Sequence, residues 1–356
     1  MNRKVFNSAF LILVWTLSFH SGYAKADYEE RKQINKTYQV TASTSVSFTN
    51  SFGRLHINTW DKSELQVDIE VITRSSSQTR AKEMLDRIRI NISDAAPSAS
   101  ISFMTVISEM KSSGNNSFEI NYTVNMPKDN PLYVKKSFGD AYIGDYNGKL
   151  TLNESYGNLK AEDLSGETSI DLSFGGGTSS IGSLKKGRLE VGYSSLDVGL
   201  IGQAEVDAQF SNIDISKAVD LALTAKYGEV GLGEVNELNA TVNFASFDLD
   251  RLGKKLILDI EYGGKTTIHQ VSKELSLIDI ECSFGPVYID LPADLNSSIR
   301  VYVEFGSLKM DHDHVDFNRI HEGNTSKEYE GRIGSGSSVV SVEIESKYGD
   351  VTINQE

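Results

Sequence analysis

The chain is poor in cysteine, proline and tryptophan, and these shortages narrow the class of protein. Of its 356 residues only Cys282 is a cysteine, so no disulfide can form within the chain. Five prolines and an apolar fraction of 39% are typical of an ordered chain. A disulfide-stabilised scaffold and a disordered chain are therefore both disfavoured.

Positive charge is scarce as well. The chain has 35 lysines and arginines against 49 aspartates and glutamates, a formal net charge of −14. Nucleic acid and anionic membrane surfaces need clustered cations, so neither is an expected partner. Like-charge repulsion that favours solubility is the simplest explanation of the acidity. Nothing in the composition calls for a cofactor.

Long hydrophobic runs are missing beyond the first residues. Residues 1–26 are typical of a secretory signal peptide: Arg3 and Lys4 precede an apolar run, Ala9–Phe19, that is short for a membrane span. Ala24-Lys25-Ala26 fits a cleavage site that would leave Asp27 as the mature N-terminus. A retained membrane anchor is the alternative.

We therefore expect an exported protein, periplasmic or at the cell surface or secreted, with no transmembrane span in the mature chain. The signal is not followed by a cysteine, so we expect no lipid anchor. Cleavage would remove three positive charges and bring the net charge to −17.

The most prominent pattern is a repeat in which an aromatic residue precedes a small one. It recurs every 17 to 22 positions up to Phe305, and a last copy follows at Tyr348. The following residue is never larger than serine, which indicates a steric limit. A period this short predicts stacked repeats. The aromatic positions are Phe138, Tyr156, Phe174, Tyr193, Phe210, Tyr227, Phe244, Tyr262, Phe284, Phe305 and Tyr348.

The residues around each aromatic predict a strand, a corner and a second strand. In Leu221–Val235 apolar residues alternate up to Tyr227 and resume at Val230, one position out of phase. We read the small residue as a corner and expect the ring to lie on the inward face, at the edge of the core. We call each longer strand, corner, shorter strand and turn a rung.

Rungs stacked in parallel about 4.8 Å apart would form a rod roughly 50–55 Å long. The fold prediction is an all-β protein: a right-handed parallel β-helix, or β-solenoid, of about eleven to twelve rungs. The alternative is an antiparallel meander with the small residues at hairpin tips.

This register assigns residues to columns. Lys136 and Glu154 would lie one above the other, and we predict an ion pair between them. Cys282 falls on a core position and is expected to be a buried apolar side chain. Phenylalanine and tyrosine alternate in the aromatic column over eight successive rungs, from Phe138 to Tyr262.

Residues 27–130 differ from the repeats and are predicted to be a β-rich capping region with one helix at Gln78–Arg89. They contain an isolated copy of the repeat, Ser51–Ile57. Residues 131–356 would form the solenoid, with a loop insertion at 311–338. Little chain follows the last copy to cap that end.

The segments FGRLHINTWDKSELQVDIEV, AKEMLDRIRI and INYTVNMP, with the SFGD and SYGN copies, resemble the bacterial "putative adhesin" β-strand-repeat family. The function of this family is unknown. The resemblance covers essentially the whole mature chain and implies an exported, repetitive β-helical protein. It supplies no catalytic residues.

Two groups of residues are candidates for binding. One outward column holds acidic residues on neighbouring rungs, which would suit a cation or, as a close carboxylate pair, a retaining glycosidase. A solvated acidic face is the simpler explanation. These residues are Asp171, Glu190, Asp207, Asp259 and Glu281.

The second group is a His- and Asp-rich cluster in the predicted loop, with Asp316, His321 and Glu322 nearby. Histidine and carboxylate ligands together suit a divalent metal, although such a loop is more often a solvated insertion. The cluster is Asp311, His312, Asp313 and His314.

No catalytic motif accompanies these groups, so the predicted function is non-enzymatic: adhesin-like binding or scaffolding in the cell envelope. The expected partner is another envelope protein or a glycan. The alternatives are a carbohydrate-active β-helix enzyme acting on a polysaccharide and a purely structural spacer.

Overall fold

The computed structural model describes residues 28–96, 98–110, 116–292, 294–310, 315–336 and 340–355. Within these ranges the protein is all-β. Twenty-two strands belong to one hydrogen-bonded sheet, and a single helix accompanies them. The predicted signal peptide, 1–26, lies outside the described residues.

The N-terminal elements are β1 (Tyr28–Gln39), β2 (Ser45–Ser51), β3 (Leu55–Trp60), β4 (Glu64–Ser75), α1 (Gln78–Asp86), β5 (Ile88–Ala96), β6 (Ser100–Ile107) and β7 (Ser117–Pro127). β6 and β7 pair in parallel with β2 and β3. Antiparallel strands lie outside them: β5 pairs with β6, β4 pairs with β7 and β1, and α1 packs on β1 and β4. The segment predicted as helix, Gln78–Arg89, contains α1 and the first two residues of β5.

The remaining strands build the repeats and one hairpin. They are β8 (Leu132–Ser137), β9 (Ala141–Ile143), β10 (Leu150–Ser155), β11 (Leu159–Ser173), β12 (Thr178–Gly192), β13 (Ser195–Glu261), β14 (Thr266–Val271), β15 (Leu277–Ser283), β16 (Val287–Leu291), β17 (Ser297–Glu304), β18 (Leu308–Met310), β19 (Val315–Glu322), β20 (Ser326–Ile333), β21 (Val340–Lys347) and β22 (Val351–Gln355). β13 is long because it continues through several corners.

Neighbouring rungs pair in parallel and in register. Leu150 of β10 lies between Leu132 of β8 and Thr168 of β11, and the same alignment holds along these strands. The isolated copy at Ser51–Ile57 joins this series, because β2 pairs in parallel with β8 and β3 with β9. Parallel pairing between rungs does not fit the alternative antiparallel meander.

Alternation along each strand creates the core. In β2, for example, Val46 and Phe48 are fully buried while their neighbours are partly exposed. The buried aliphatic side chains of successive rungs form one continuous cluster along the repeats. Cys282 belongs to this cluster, as its column predicted.

The corner differs from the expectation. Leu221, Leu223 and Ala225 are buried, but the ring of Tyr227 is 37% exposed. Its backbone has a φ of 59°, so the chain turns at the aromatic residue itself and carries the ring outward. The inward placement of the aromatic column was therefore wrong, although the phase shift that produced it is real.

The last rung in sequence is not the last rung in space. β21 lies between β15 and β17, and β22 lies between β16 and β18. On its other side β17 pairs antiparallel with β20, which pairs with β19. The described part of the predicted loop, 311–338, is thus a β-hairpin that covers the edge expected to remain open.

Candidate functional site

Twelve aromatic residues form a continuous row at the corners, which we call the aromatic ladder. All have a left-handed backbone, with φ between 51° and 60°, and no other non-glycine residue in the described ranges has a positive φ. In order of stacking they are Phe52, Phe138, Tyr156, Phe174, Tyr193, Phe210, Tyr227, Phe244, Tyr262, Phe284, Tyr348 and Phe305.

Successive rings of the ladder stack face to face. Their centroids are 4.7–5.2 Å apart and their planes differ by 1–20°. The separation repeats the strand spacing of about 4.8 Å, since each rung contributes one ring. Each interior ring contacts a neighbour on both faces, yet 37–53% of each residue is exposed. The exposed surface is therefore largely a ridge of ring edges.

The order in which the rings stack restores the alternation of phenylalanine and tyrosine, which the order of residues in the sequence breaks. Phe284, Phe305 and Tyr348 follow one another in the chain, but Tyr348 stacks between the two phenylalanines. In space, phenylalanine and tyrosine alternate without a break over eleven rings, from Phe138 to Phe305. Tyrosine hydroxyls are consequently two rungs apart, about 9.6 Å, and each can stay hydrated without a hydroxyl neighbour.

The ladder offsets a backbone penalty. A left-handed L-residue costs about 1–2 kcal/mol, and a stacked aromatic pair contributes about 0.5–1.5 kcal/mol beyond its buried area. The small residue that follows has its own constraint: a Cβ on Gly139 would overlap the carbonyl oxygen of Gly53, and one on Gly228 would overlap that of Ser211. This close approach requires glycine at these two corners. Ser194, Ser211 and Ala245 occupy the same position with a Cβ and are buried, so a larger side chain has no room there either.

Phe118 marks one end of the ladder. Its ring lies edge-on against Phe52, with centroids 5.0 Å apart and planes at 61°. The N-terminal layers therefore cover the outer face of the first ring.

The structure contains the predicted acidic column as two separate rows of neighbouring carboxylates, which we call the first and the second acidic run. Glu190 is in register with both Asp171 and Asp207, and Asp259 with Glu281. Loss of hydration beside neighbouring protein atoms and, secondarily, the charge of Glu190 raise the pKa of Asp171. All are exposed except Asp207, which is half-buried.

One cation, Arg188, neutralises part of the first acidic run, which consists of Asp171, Glu190 and Asp207. Arg188 donates to Glu190 and to Glu205 of the next rung, both at 2.9 Å. The second run is longer than predicted, because Glu345 of the inserted last rung lies beside Glu281. Sequence order hid that neighbour. Solvent-exposed carboxylates with interspersed cations agree with a solvated acidic face.

The His- and Asp-rich cluster, Asp311, His312, Asp313 and His314, lies outside the described residues. Asp316, His321 and Glu322 are on β19 and are exposed, and Glu322 pairs with Lys327 at 2.9 Å. The prediction of a metal site in this segment stays a prediction.

Lys136 and Glu154 are stacked as expected, in register on β8 and β10 and each 1% exposed. They form no salt bridge within 4.0 Å: Lys136 Nζ donates to the Ser137 carbonyl at 3.0 Å, and neither carboxylate oxygen of Glu154 has a hydrogen-bond partner. Burial lowers the pKa of Lys136 to about 8 and raises that of Glu154 to about 8, while their attraction opposes both shifts.

Cys282 is an inert core residue. Its thiol donates to the Gly285 carbonyl at 3.4 Å, and burial, with a smaller contribution from Asp259, raises the thiol pKa to about 11. A thiol with this pKa is almost entirely protonated at neutral pH, which makes it a poor nucleophile.

Sequence reasoning missed one mixed cluster, formed by Asp248, Asp250 and His269 on adjacent strands. Nothing in the sequence identified His269 as the neighbour of Asp248 and Asp250. The only available signal was the rung spacing, which the corner at Tyr262 makes hard to follow.

No helix in the described ranges has the length and apolarity to cross a membrane.

No family model matches this chain, and no curated protein matches it. Several solved structures are similar to this chain, among them three at low identity. One is described as a "putative cell adhesion protein" from Clostridium sporogenes: 14% identity, 92% of this chain and 100% of that one covered, TM-score 0.23. Another is a "putative adhesin" from Parabacteroides merdae: 14% identity, 72% and 96% covered, TM-score 0.31.

A third structure is a "putative lipid binding protein" from Parabacteroides distasonis, with 10% identity, 90% and 96% of the two chains covered and a TM-score of 0.29. The first two descriptions name adhesion, as does the family that the sequence resembles. TM-scores this low establish neither a shared fold nor a shared function.

Proposed function

We propose that this protein is an exported, non-enzymatic β-solenoid that binds another envelope protein along the aromatic ladder. The observation that supports this is the continuous, half-exposed row of twelve rings on one edge of the repeats. Aromatic residues are enriched in protein interfaces, and an exposed apolar strip of this length marks an interaction surface.

The orientation of the rings favours a protein over a glycan. Sugars stack on aromatic faces, and both faces of each interior ring are already in contact with neighbouring rings. Ring edges instead suit the aliphatic and aromatic side chains of a protein partner. The acidic runs beside the ladder would favour a partner that has basic residues next to its apolar contact surface.

The parallel, in-register rungs support the right-handed parallel β-helix as the architecture behind this surface. Export rests on the signal-like segment 1–26. Sequencing the N-terminus of protein recovered from the periplasm or medium tests export, and the expected first residue is Asp27. An uncleaved, membrane-bound chain would contradict export.

The binding proposal is tested by photocrosslinking in intact cells from two positions. A photoreactive residue replaces Phe210 in the ladder or Val219, which is 53% exposed away from it. We expect one dominant envelope-protein adduct from position 210 and none from 219.

Purified partner then provides the quantitative test. Replacing Tyr193, Tyr227 and Tyr262 by serine should weaken binding at least about tenfold, because aromatic residues dominate interface energies. In the matched control, serine replaces Leu200, Val219 and Ile320, which are exposed outside the ladder. This variant should bind the partner normally. Binding to a glycan array would contradict the proposal and indicate a lectin. Cleavage of a polysaccharide would indicate an enzyme, and no binding at all would indicate a structural spacer.

A further inference from the structure

The outward face of the shorter strands carries two carboxylates and an imidazole at one place. Asp248 and Asp250 flank the buried Leu249 on β13, so both point away from the core. On β14, Ile268 pairs with Leu249, which places His269 beside Asp250 on the same outward face. The cluster therefore joins two adjacent rungs.

The ligand atoms of the three side chains are already close. One atom from each lies within 4.8 Å of the other two, and His269 Nε2 is 2.7 Å from Asp248 Oδ1. A metal bound at about 2.0–2.2 Å to three ligands holds them roughly 3.4 Å apart. Only small side-chain rotations separate the observed arrangement from that geometry.

The local charge is not compensated. In the described parts of the chain no lysine or arginine nitrogen lies within 4.0 Å of either carboxylate, and Asp248 Oδ1 is instead hydrogen-bonded to His269 Nε2.

From this geometry we infer that Asp248, Asp250 and His269 form a binding site for a divalent transition metal such as zinc. An imidazole nitrogen with two carboxylates is a borderline donor set that suits zinc better than calcium, which takes six to eight oxygen ligands. All three residues are exposed, so further coordination positions are open to water or to a side chain of a bound protein. Bound metal would also clamp β13 to β14.

Calorimetric titration of the mature, untagged chain with zinc chloride tests the site. His312→Ala/His314→Ala serves as the background, which removes the His-rich segment as a competing site. We expect one zinc ion per chain with micromolar affinity and a higher unfolding temperature, and at least tenfold weaker binding of calcium.

In that background His269→Ala should weaken zinc binding about 100-fold or more, and Asp250→Asn should weaken it substantially. His56→Ala is the matched control, because His56 is another exposed histidine on an outward strand face, and it should bind zinc normally. Circular dichroism without metal checks that each variant is folded. Unchanged zinc affinity in folded His269→Ala and Asp250→Asn, or calcium binding as tight as zinc binding, would overturn the inference.

Discussion

Two buried ionisable side chains at the start of the repeats are an exception to the apolar core. Asn50, Lys136 and Glu154 occupy one column on successive rungs, where later rungs have Leu172 and Val191. Glu154 has no hydrogen-bond partner for its carboxylate, so its charged form is poorly stabilised there. Such a pair contributes less to stability than apolar residues of similar volume would.

This pair predicts a specific dependence of stability on pH. The raised pKa of Glu154 means that the folded state holds a proton the unfolded chain releases, so stability falls as pH rises from about 4.5 to about 8. The lowered pKa of Lys136 has the opposite sign and makes stability rise from about pH 8 to about 10.5.

We expect Lys136→Met/Glu154→Leu to remove this dip, which is roughly 5 kcal/mol at its deepest when the pKa of Glu154 rises from about 4.5 to about 8. Urea unfolding of both proteins between pH 4 and 10.5 measures it as the difference between the two curves, which cancels other titrating groups. A difference that is flat across this range would mean that the pair does not titrate as described.

At the scale of the element, the corner is the unit that connects the two strands of a rung. It combines a left-handed aromatic residue, a small residue against the previous rung and two stacked ring neighbours. The strain and the stacking oppose each other at one position, which makes the corner sensitive to side-chain identity in an unusual way.

Tyr227→Ala loses two stacking partners, worth about 1–3 kcal/mol, and keeps the left-handed strain. Tyr227→Gly loses the same stacking but relieves about 1–2 kcal/mol of strain. We therefore expect the glycine variant to be more stable than the alanine variant by roughly 1 kcal/mol, as measured by denaturant unfolding.

Thr224 provides the control, because it is exposed on the strand that precedes this corner. There alanine should exceed glycine in stability by about 0.5–1 kcal/mol, the ordinary order for a strand. The same order at both positions would show that the corner stores no such strain.

At the scale of the whole molecule, the chain does not stack its rungs in sequence order. After β18 it forms the hairpin β19–β20 along the free edge of β17 and returns to place β21 and β22 inside the series. The hairpin thus covers the free edge of β17, and at the opposite end β6 and β7 pair in parallel with β2 and β3. Both pairings protect edges that would otherwise invite aggregation.

Truncation before residue 340 removes β21 and β22 and tests this order. We expect 297–333 to lose protection in hydrogen exchange and to become protease-sensitive, while 132–271 stays protected, because β17 and β18 reach the other rungs through the missing pair. Deleting only residues 355–356 is the control and should change little. Continued protection of 297–333 would indicate that β17 can stack directly on β15.

Several features follow from the sequence because they depend on residues close together in the chain. The period, the strand alternation and the small residue at each corner identify an all-β repeat with defined columns. These columns placed Cys282 in the core and Lys136 beside Glu154, since neighbouring rungs differ by one repeat length. The exposed acidic runs could be predicted from the sequence for the same reason.

Other features depend on the three-dimensional path. Outward rings at the corner require a left-handed backbone, a choice that alternation alone does not reveal because the residue before the phase shift could face either way. The position of Tyr348 between Phe284 and Phe305, and the approach of His269 to Asp248, result from pairing across the sheet. Local pattern determined the rung; only tertiary pairing decided which rungs are neighbours, because hydrogen bonds between strands do not depend on their order in the chain.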